Sequence, residues 1–491
     1  MSITREEDEA MEHEEEPAMV DADEGEEIAQ DDDAAMDSDP EDELQQEIQL
    51  HNDSVAHFDS HKDSIFCIAQ HPTHPNMIAT GGGDDTGYIF SVPAANAPEY
   101  SKATGSQPRD SIQPGVTIEG HTDSLNALAF TLPKGEFFIS AGLDGQLRAF
   151  QDTSTVKNGT SWNFVASARE VDEINWVAPC PNPSKPNTIA LGGSDGSVWI
   201  YFIDPSNQDS PLVFVNSFFM HTASCTAGAW TPDGRLLATV AEDSSFYVWD
   251  AFGDAAAAGI VSPPGGNTVV GLTGDDERFR VDGGLYSVAI APNGTIAAVG
   301  GPDGHIRIVG LPRLSTDANA TASVKGGAGG SAKTGGSKQA GGPKGGDTSA
   351  GQAGVIIANM QAQNDSVETL SFSPNPQIPL LAAGSVDGSI AFFDTKSNFM
   401  LRKHLKGAHG EHAVTKIEFI GVSGSQAWTL TSCGLDGVVR RWDARGGNNM
   451  TTPQMLGEYK GHQGGGGEGE GVLGFVQGGN DGRYIVTAGD E

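Results

Sequence analysis

The chain has 491 residues and a formal net charge of −38, because 66 Asp and Glu residues face only 28 Lys and Arg. A negative field of this size repels nucleic acid and anionic lipid and attracts cationic partners. We therefore expect no direct binding to nucleic acid or to a membrane. No apolar run is long enough to span a bilayer.

Residues 1–52 are predicted to form a disordered acidic tail. Residues 1–59 hold 24 acidic residues and one basic residue, a formal charge of −23, which leaves −15 for the remainder. So little apolar surface cannot offset the entropy lost on ordering. The acidic start is not a secretory signal.

The four cysteines lie far apart in the sequence and lack the paired spacing of a disulfide framework or a zinc site; they are Cys67, Cys180, Cys225 and Cys433. Reduced thiols are typical of an intracellular compartment, so we expect a cytoplasmic protein that also enters the nucleus or stays outside it.

The segment Asp53–Phe58 is predicted to be an isolated strand ahead of the first repeat. In a closed ring of sheets, such a strand typically joins the last sheet and removes its open edge.

A short repeated pattern then fills the chain as far as residue 491. Each copy has an apolar strand, a polar turn, a second strand ending in small residues, an Asp-containing turn and a third strand. Seven copies and most of an eighth predict an all-β propeller with eight blades over residues 53–491. The chain stops where the third strand of the eighth blade should start, which indicates a shortened chain or a poorly closed blade. Flexible insertions are predicted at 93–115 and 315–353.

Recurring His, Ser or Thr, Asp and Trp residues predict a buried hydrogen-bond relay within the blades. His221, Thr239, Asp243 and Trp249 fit this pattern in blade four. A fully satisfied relay of this kind fixes one blade geometry. The regularly spaced turn carboxylates are therefore interpreted as structural; they are Asp144, Asp195, Asp243, Asp303, Asp387 and Asp436.

No pattern in the sequence indicates an enzyme, a metal site or a cofactor. Residues 327–334 resemble a phosphate-binding loop only superficially, because Ala332 replaces the required glycine and no buried strand precedes it. No Ser-His-Asp or Cys-His arrangement stands out. Four early histidines fit turns or relays better than a metal site; they are His57, His61, His71 and His74.

The repeats resemble those of WD-repeat β-propellers. The front of the chain, with Asp53-Ser-Val-Ala-His-Phe, His61-Lys-Asp-Ser-Ile-Phe-Cys-Ile and Ala79-Thr-Gly-Gly-Gly-Asp-Asp behind an acidic tail, is similar to the angio-associated migratory cell protein family. Resemblance to the fungal branch implies a dedicated chaperone of a large-subunit ribosomal protein of the universal L-sixteen family. It also implies that an acidic top face grasps the client's basic N-terminal segment and helps to deliver it to the pre-60S subunit.

Partner-binding residues are predicted in the loops that precede each inner strand and in the turns between second and third strands. Glu368 is the first choice, because strand alternation should aim it into the mouth of the central channel. Carboxylates there could grip an arginine while aromatic rings stack on it, although surface carboxylates are usually just solvated and the aromatics could simply pack. The full set is Asp63, Phe66, Asp84, Asp85, Asp123, Asp172, Glu173, Glu242, Tyr286, Asp365 and Glu368.

Two classes of function follow from these observations. The first is a monomeric, acidic-faced chaperone that captures a basic ribosomal protein by neutralising its charge. The alternative is a generic scaffold or adaptor in signalling or ubiquitin ligation. A propeller enzyme is a third possibility, for which the sequence offers no catalytic residues.

Overall fold

A computed structural model describes residues 52–93, 111–153, 161–207, 209–262, 266–314, 352–421, 425–445, 454–462, 471–478 and 482–490. Nearly all of the predicted acidic tail lies outside these ranges, as do most of the two predicted insertions and the phosphate-loop-like residues 327–334. Within these ranges no helix is both long and apolar enough to cross a membrane.

Seven four-stranded antiparallel sheets form the blades, and in each of them strands are added in chain order. Blades one and two are β1 (Ile65–Gln70), β2 (Met77–Gly82), β3 (Gly87–Ser91), β4 (Val116–Ile118), β5 (Leu125–Phe130), β6 (Phe137–Gly142), β7 (Gln146–Asp152) and β8 (Trp162–Arg169). Blades three and four are β9 (Ile174–Pro179), β10 (Thr188–Gly193), β11 (Val198–Ile203), β12 (Leu212–Phe218), β13 (Cys225–Trp230), β14 (Leu236–Ala241), β15 (Phe246–Asp250) and β16 (Thr268–Leu272).

Blades five to seven continue the same order. They are β17 (Ser287–Ile290), β18 (Ile296–Gly300), β19 (His305–Gly310), β20 (Ile356–Gln361), β21 (Val367–Phe372), β22 (Leu380–Ser385), β23 (Ile390–Asp394), β24 (Met400–Leu405), β25 (Val414–Phe419), β26 (Thr429–Gly434), β27 (Val438–Asp443) and β28 (Gln454–Lys460). A short helix α1 (Asp254–Ala257) follows β15, and a 3₁₀ helix (Ser425–Trp428) precedes β26.

The hydrophobic core lies between neighbouring blades. The second strands of the blades are almost wholly buried, since both of their faces pack against adjacent sheets. Val240 and Phe246 of blade four, for example, share one cluster with Val299 of blade five and Phe279 of the connecting loop. Stacking of this kind makes each blade depend on its neighbours, so the ring presents its end loops as a rigid surface.

The prediction of eight blades is wrong, because the described residues form seven four-stranded blades. The last described strands, β29 (Gly471–Gly478) and β30 (Tyr484–Asp490), form a two-stranded hairpin and not a four-stranded blade. The first strands of successive sheets lie side by side around the ring, and β29 lies between β25 and β1. The hairpin therefore occupies the gap between blades seven and one, and the described residues add no further strand to it.

The predicted strand Asp53–Phe58 is also wrong. Its described residues form only an isolated bridge, between His57 and Ser111. The Asp53 N–H donates to the Lys460 carbonyl at the end of β28 (2.6 Å), and Phe58 stacks on Phe90 of blade one at 4.2 Å. The segment thus runs from blade seven to blade one. Among the described residues it pairs with no strand of the hairpin or of blade seven.

Candidate peptide-binding rim

One repeated backbone bond brings the predicted loops together at the same end of the ring. In blade one the Gly83 N–H, just after the second strand, donates to the Ser64 carbonyl just before the first strand (2.9 Å). Glu242 repeats this bond to Ser224 in blade four (3.0 Å). The loops before inner strands and the turns after second strands therefore form one surface, called the top face below.

The predicted relay in blade four is formed, with one extra member. The Trp249 indole N–H donates to Thr239 Oγ1 (2.8 Å), which lies 2.8 Å from His221 Nε2. His221 Nδ1 contacts Ser245 Oγ at 2.5 Å, and the Ser245 hydroxyl donates to Asp243. Ser245, which the sequence analysis did not include in the relay, thus connects Asp243 to His221. Burial lowers the pKa of His221 to about 4 despite the nearby carboxylate, so the ring is neutral at pH 7.

Blade seven has the direct form of the relay. Trp442 donates to Ser432 (2.8 Å), Ser432 lies 2.8 Å from His409 Nε2, and His409 Nδ1 lies 2.8 Å from Asp436. Arg440 forms an additional ion pair with Asp436. Burial alone would raise the pKa of Asp436, but the bonds from His409 and Arg440 outweigh it and hold the pKa below its ordinary value.

Two carboxylates exchange the roles that the sequence predicted. Asp84, predicted to face a partner, accepts hydrogen bonds from His61 Nδ1 (3.0 Å) and the Lys62 N–H (3.0 Å), so it belongs to the relay of blade one. Asp303, predicted to be structural, is exposed, and its carboxylate makes no hydrogen bond within the described residues. The turn position is the same, but the loop before blade five supplies no histidine to bind Asp303.

A β-bulge near the start of the inner strands sets the direction of the residues that ring the channel. Glu368 lies between the pairs Val367–Ser385 and Thr369–Gly384 and is skipped by the ladder. A residue left out of the ladder in this way is re-aimed by the bulge. The alternation argument pointed to this residue but did not predict the bulge. The same skip occurs at Phe66, Asn126, Asn175, Thr226 and Thr415.

Most of these bulge residues fasten one blade to the next. Asn126 donates to the Asn175 carbonyl (3.0 Å), Thr226 to the Leu285 carbonyl (2.6 Å) and Thr415 to the Val472 carbonyl (2.6 Å). Glu368 cannot donate when ionised, and its carboxylate has no hydrogen bond or ion pair in the described part of the chain. Phe66 is 42% exposed. Among the six bulge residues, the Glu368 carboxylate and the Phe66 ring are therefore open to a partner.

Glu368 is a carboxylate in an unfavourable environment. Its side chain is exposed, yet surrounding protein and the neighbouring Asp365 raise its pKa above the ordinary value. Tyr286 experiences the same field, since its pKa is raised by burial and then by Glu368 and Glu242. A cationic side chain placed here would relieve the repulsion among these groups.

A second acidic position pairs a carboxylate with an aromatic face. A Cβ at Gly83 would lie 3.1 Å from the Asp63 carboxyl carbon and 3.2 Å from the Phe66 ring, so both side chains flank this glycine. Tyr286 differs from Phe66, because it is half-buried and its hydroxyl donates to the Gly283 carbonyl (2.5 Å). Phe66 is thus better placed than Tyr286 to stack on a cation.

The remaining predicted carboxylates are distributed around the top face. Asp63, Asp123 and Asp365 each accept the N–H of the next residue at 2.7 to 2.8 Å, which leaves their outer oxygens accessible. Eight of the predicted carboxylates are exposed or half-exposed, and together they are called the acidic rim below. They are Asp63, Asp85, Asp123, Asp172, Glu173, Glu242, Asp365 and Glu368.

Sequence reasoning missed two further rim carboxylates. Asp303 and Glu411 are exposed in top-face loops and have no side-chain hydrogen bond among the described residues. The missing histidine before blade five was the available signal for Asp303. Cations on this face are few: Lys62 and Lys406 are exposed, whereas Arg278 and Arg280 pair with the adjacent carboxylates Asp276 and Asp282.

The described residues contain no group of three His, Cys, Asp or Glu side chains placed to hold a metal ion. His71 instead donates from Nε2 to the Gly135 carbonyl (3.2 Å) and accepts the N–H of His74 at Nδ1 (3.1 Å). All four cysteines are free thiols. Burial raises the pKa of Cys433 to about 11, so this thiol is protonated and unreactive at neutral pH.

Comparison with known proteins matches this architecture. The WD domain, G-beta repeat family matches residues 52–91, 112–151, 212–250, 262–309 and 354–394. The crystal structure of Chaetomium thermophilum Sqt1 bound to the N-terminus of the ribosomal protein L10 is 47% identical, with a TM-score of 0.74 over 90% of this chain and 98% of that chain.

Two curated relatives extend the comparison. The ribosome assembly protein SQT1 of Saccharomyces cerevisiae is 31% identical over 227 residues, so the alignment covers 45% of this chain and 47% of the yeast protein. The human angio-associated migratory cell protein is 23% identical over 89% of this chain and 79% of its own length.

The blades and the relays define the class of protein as a WD40-repeat β-propeller. Since a relative with 47% identity is matched over nearly its whole length, the chain belongs to the Sqt1 family. The resemblance to the angio-associated migratory cell protein family is present as a more distant relationship.

Proposed function

We propose that this protein is a ribosome-assembly chaperone that holds the N-terminal segment of a large-subunit ribosomal protein on its acidic rim. The single observation that carries the proposal is the crystal structure of Chaetomium thermophilum Sqt1, 47% identical to this chain, bound to the N-terminus of ribosomal protein L10. The assembly role follows the same relationship, since the yeast relative is a ribosome assembly protein. The assignment of the client to the universal L-sixteen family is the more specific form of the proposal.

The physical basis of recognition is charge. The rim carries carboxylates with few competing cations, and Glu368 and Asp63 lack ion-pair partners within the described residues. A basic peptide would replace repulsion between these groups with charge-assisted hydrogen bonds. Long-range attraction by an acidic protein also raises the association rate. Both effects suit the capture of a basic client before it meets RNA.

Each client molecule is proposed to bind one propeller, since one ring has one channel mouth. Release then follows when ribosomal RNA competes for the cationic groups of the client. We place this capture in the cytoplasm, where ribosomal proteins are synthesised, before delivery to the pre-60S subunit. The acidic face has no catalytic part in this scheme and acts only as a binding surface.

Titration of the purified protein with a synthetic peptide of the L10 N-terminus, followed by calorimetry, tests the proposal. We expect one-to-one binding that weakens as salt rises from about 50 mM to about 500 mM, because screening acts on exposed charge pairs. Glu368→Gln should weaken binding about tenfold, the loss of one charge-assisted bond. Asp209→Asn, an exposed carboxylate in the turn after the third strand of blade three, is the matched control and should bind normally.

Salt-independent binding, or equal losses in both variants, would contradict the acidic rim as the binding surface. A pull-down from lysate separates the chaperone from a generic scaffold. The chaperone retains one dominant ribosomal protein, and Glu368→Lys releases it, whereas a scaffold retains a mixture of partners or a ubiquitin-ligase subunit.

A further inference from the structure

Three aromatic side chains form an open box on the outer part of blade three, called the aromatic box below. The indole of Trp199 on β11 contacts the rings of Phe219 (5.5 Å between centroids) and Phe214 (5.9 Å), which stand at 90° and 66° to it. The residue of β12 that pairs with Trp199 is Ser217. Phe214 therefore lies on one side of the indole along this strand, and Phe219 follows on the other side.

The outer rings of the aromatic box are exposed, whereas its central ring is held in place. Phe214 and Phe219 are 53% and 63% exposed. The Trp199 indole N–H donates to Ser197 Oγ (2.8 Å), and the Ser197 hydroxyl donates to Asp195 (2.6 Å). Exposed apolar side chains that lie together in this way are typical of a binding surface. A central ring that is already fixed reduces the entropy lost when a partner binds.

The groove beside the aromatic box is acidic. Trp199, Phe214 and Glu170 line one groove between blades two and three, and no Lys or Arg lines it in the described part of the chain. The Tyr201 hydroxyl donates to Glu170 Oε1 (3.0 Å), and this exposed carboxylate has no other hydrogen bond or ion pair among the described residues. The groove therefore offers a carboxylate oxygen next to aromatic rings.

The opposite wall of the same groove shows how an arginine fits there. Phe164 of β8 lines this wall, and the guanidinium of Arg148 lies 4.6 Å from the centre of its ring. No cation of the described residues lies over a ring of the aromatic box. The box thus presents the type of ring face that Arg148 uses, with a carboxylate beside it.

The groove is continuous with the acidic rim at the top face. Both outer strands that border it, β8 and β12, continue at this end into described loops, 170–173 and 219–224. Glu170 lies two residues before Asp172 of the acidic rim. A polypeptide that leaves the rim at blade three can therefore enter the groove directly.

We propose that the aromatic box and Glu170 bind an arginine of the client, in the stretch that follows the N-terminal segment held on the acidic rim. The guanidinium stacks on Trp199 between the two phenyl rings and pairs with the Glu170 carboxylate. Arginine fits better than lysine, because its charged group is planar and more weakly hydrated. The identity of the client rests on the proposed function, to which this second contact adds selectivity among basic proteins.

Calorimetry that compares full-length L10 with the synthetic peptide of its N-terminus tests the proposal. We expect the double variant Phe214→Ser and Phe219→Ser to bind full-length L10 about tenfold more weakly and the peptide normally. Glu170→Gln should weaken full-length L10 about threefold and leave the peptide unchanged, as suits one exposed ion pair. The matched control is Met400→Ser, since Met400 is a 65% exposed apolar side chain on the outer strand of blade six.

Replacing the arginines of L10 by lysine, one at a time, then locates the ligand. One arginine beyond the N-terminal segment should cost about tenfold in affinity with the parent chain and nothing further with the double variant, because the two changes remove the same contact. Arginines on the acidic rim should instead lose affinity by the same factor with both chains.

The proposal is overturned if full-length L10 is insensitive to the double variant, if Met400→Ser loses as much, or if no arginine of L10 couples to the aromatic box. Normal binding of the peptide shows that each variant is folded. Failure of the peptide to bind the parent chain would instead contradict the proposed function, so the two outcomes are distinguishable.

Discussion

Asp436 and Glu368 are both carboxylates on the top face, yet their environments are opposite. Asp436 bonds to His409 and Arg440, which hold its pKa low, whereas Glu368 has no partner in the described chain and a raised pKa. The ionised Asp436 stabilises the folded state, whereas the ionised Glu368 destabilises it and remains accessible to a partner. This difference distinguishes the relay from the acidic rim, and substitutions of relay residues and of rim residues can test it.

The largest effect is expected from Asp436→Asn. Loss of the charge removes the carboxylate that His409 and Arg440 share, although Arg440 keeps its ion pair with Glu458 (2.9 Å). We expect a cost of about 3 kcal/mol in the free energy of unfolding, because the groups around Asp436 are largely buried. Urea denaturation measures this as a lower midpoint. The control is Asp303→Asn, which changes the same turn position in blade five, where the carboxylate has no hydrogen bond in the described residues. A similar loss in both variants would remove the distinction between relay and rim.

Acidification should weaken the relay through its histidine. The pKa of His221 is about 4 when folded, below its ordinary 6.5, so the unfolded chain takes up a proton first as pH falls. Stability from this group is therefore lost between about pH 6.5 and about pH 4, with about 2 kcal/mol gone at pH 5.

His221→Gln is the corresponding variant, because Gln363 already occupies the histidine position in blade six and donates to the Ser389 carbonyl (2.9 Å). Urea midpoints at pH 7 and pH 5 should differ less in this variant than in the parent. The exposed His57→Gln serves as the control and should keep the parental pH dependence. An unchanged slope in His221→Gln would show that other groups cause the acid sensitivity.

Glu368→Gln should act in the opposite direction on stability and on binding. Since the folded pKa of Glu368 is raised, its stabilising contribution is present at low pH and is lost as pH rises through that value. At pH 7 the variant should gain on the order of 0.5 kcal/mol, because solvent screening reduces the effect at an exposed side chain. A more stable variant that binds the L10 peptide less well is the expected outcome. A loss of stability would show that Glu368 stabilises the fold, as the relay carboxylates do.

Deletion of residues 1–50 is expected to have the smallest effect. If the tail adds only weak, screened attraction, the affinity for the L10 protein falls about twofold at low salt and is unchanged at high salt. Titrations of both chains at two salt concentrations measure the difference. Unchanged affinity and client solubility at low salt would reject a role for the tail.

The sequence predicted the strands of the seven complete blades closely, because the same strand and turn pattern recurs in every blade. The pattern predicts strands that start at Met77, Met400 and Val414, and these are the first residues of β2, β24 and β25. The two ends of the repeated region were predicted less well. The count of eight blades and the strand Asp53–Phe58 were wrong, since a blade is completed by strands that pair across distant parts of the chain.

The candidate rim divides in the same way. Except for Glu368 in β21, the predicted rim carboxylates lie in top-face loops, because turn positions repeat in phase with the strands. The sequence did not reveal that Asp84 is bound by His61 and that Asp303 is not bound. Both residues precede similar turns, and only the histidine on a loop 23 residues earlier distinguishes them.

The sequence alone determined a ring of β-sheets, its relay residues and an acidic surface, because these properties follow from local pattern and composition. Tertiary structure decided which carboxylates remain open and how the bulge aims Glu368. Those outcomes depend on groups that meet only after the chain closes on itself, since hydrogen bonds and burial act between residues far apart in sequence.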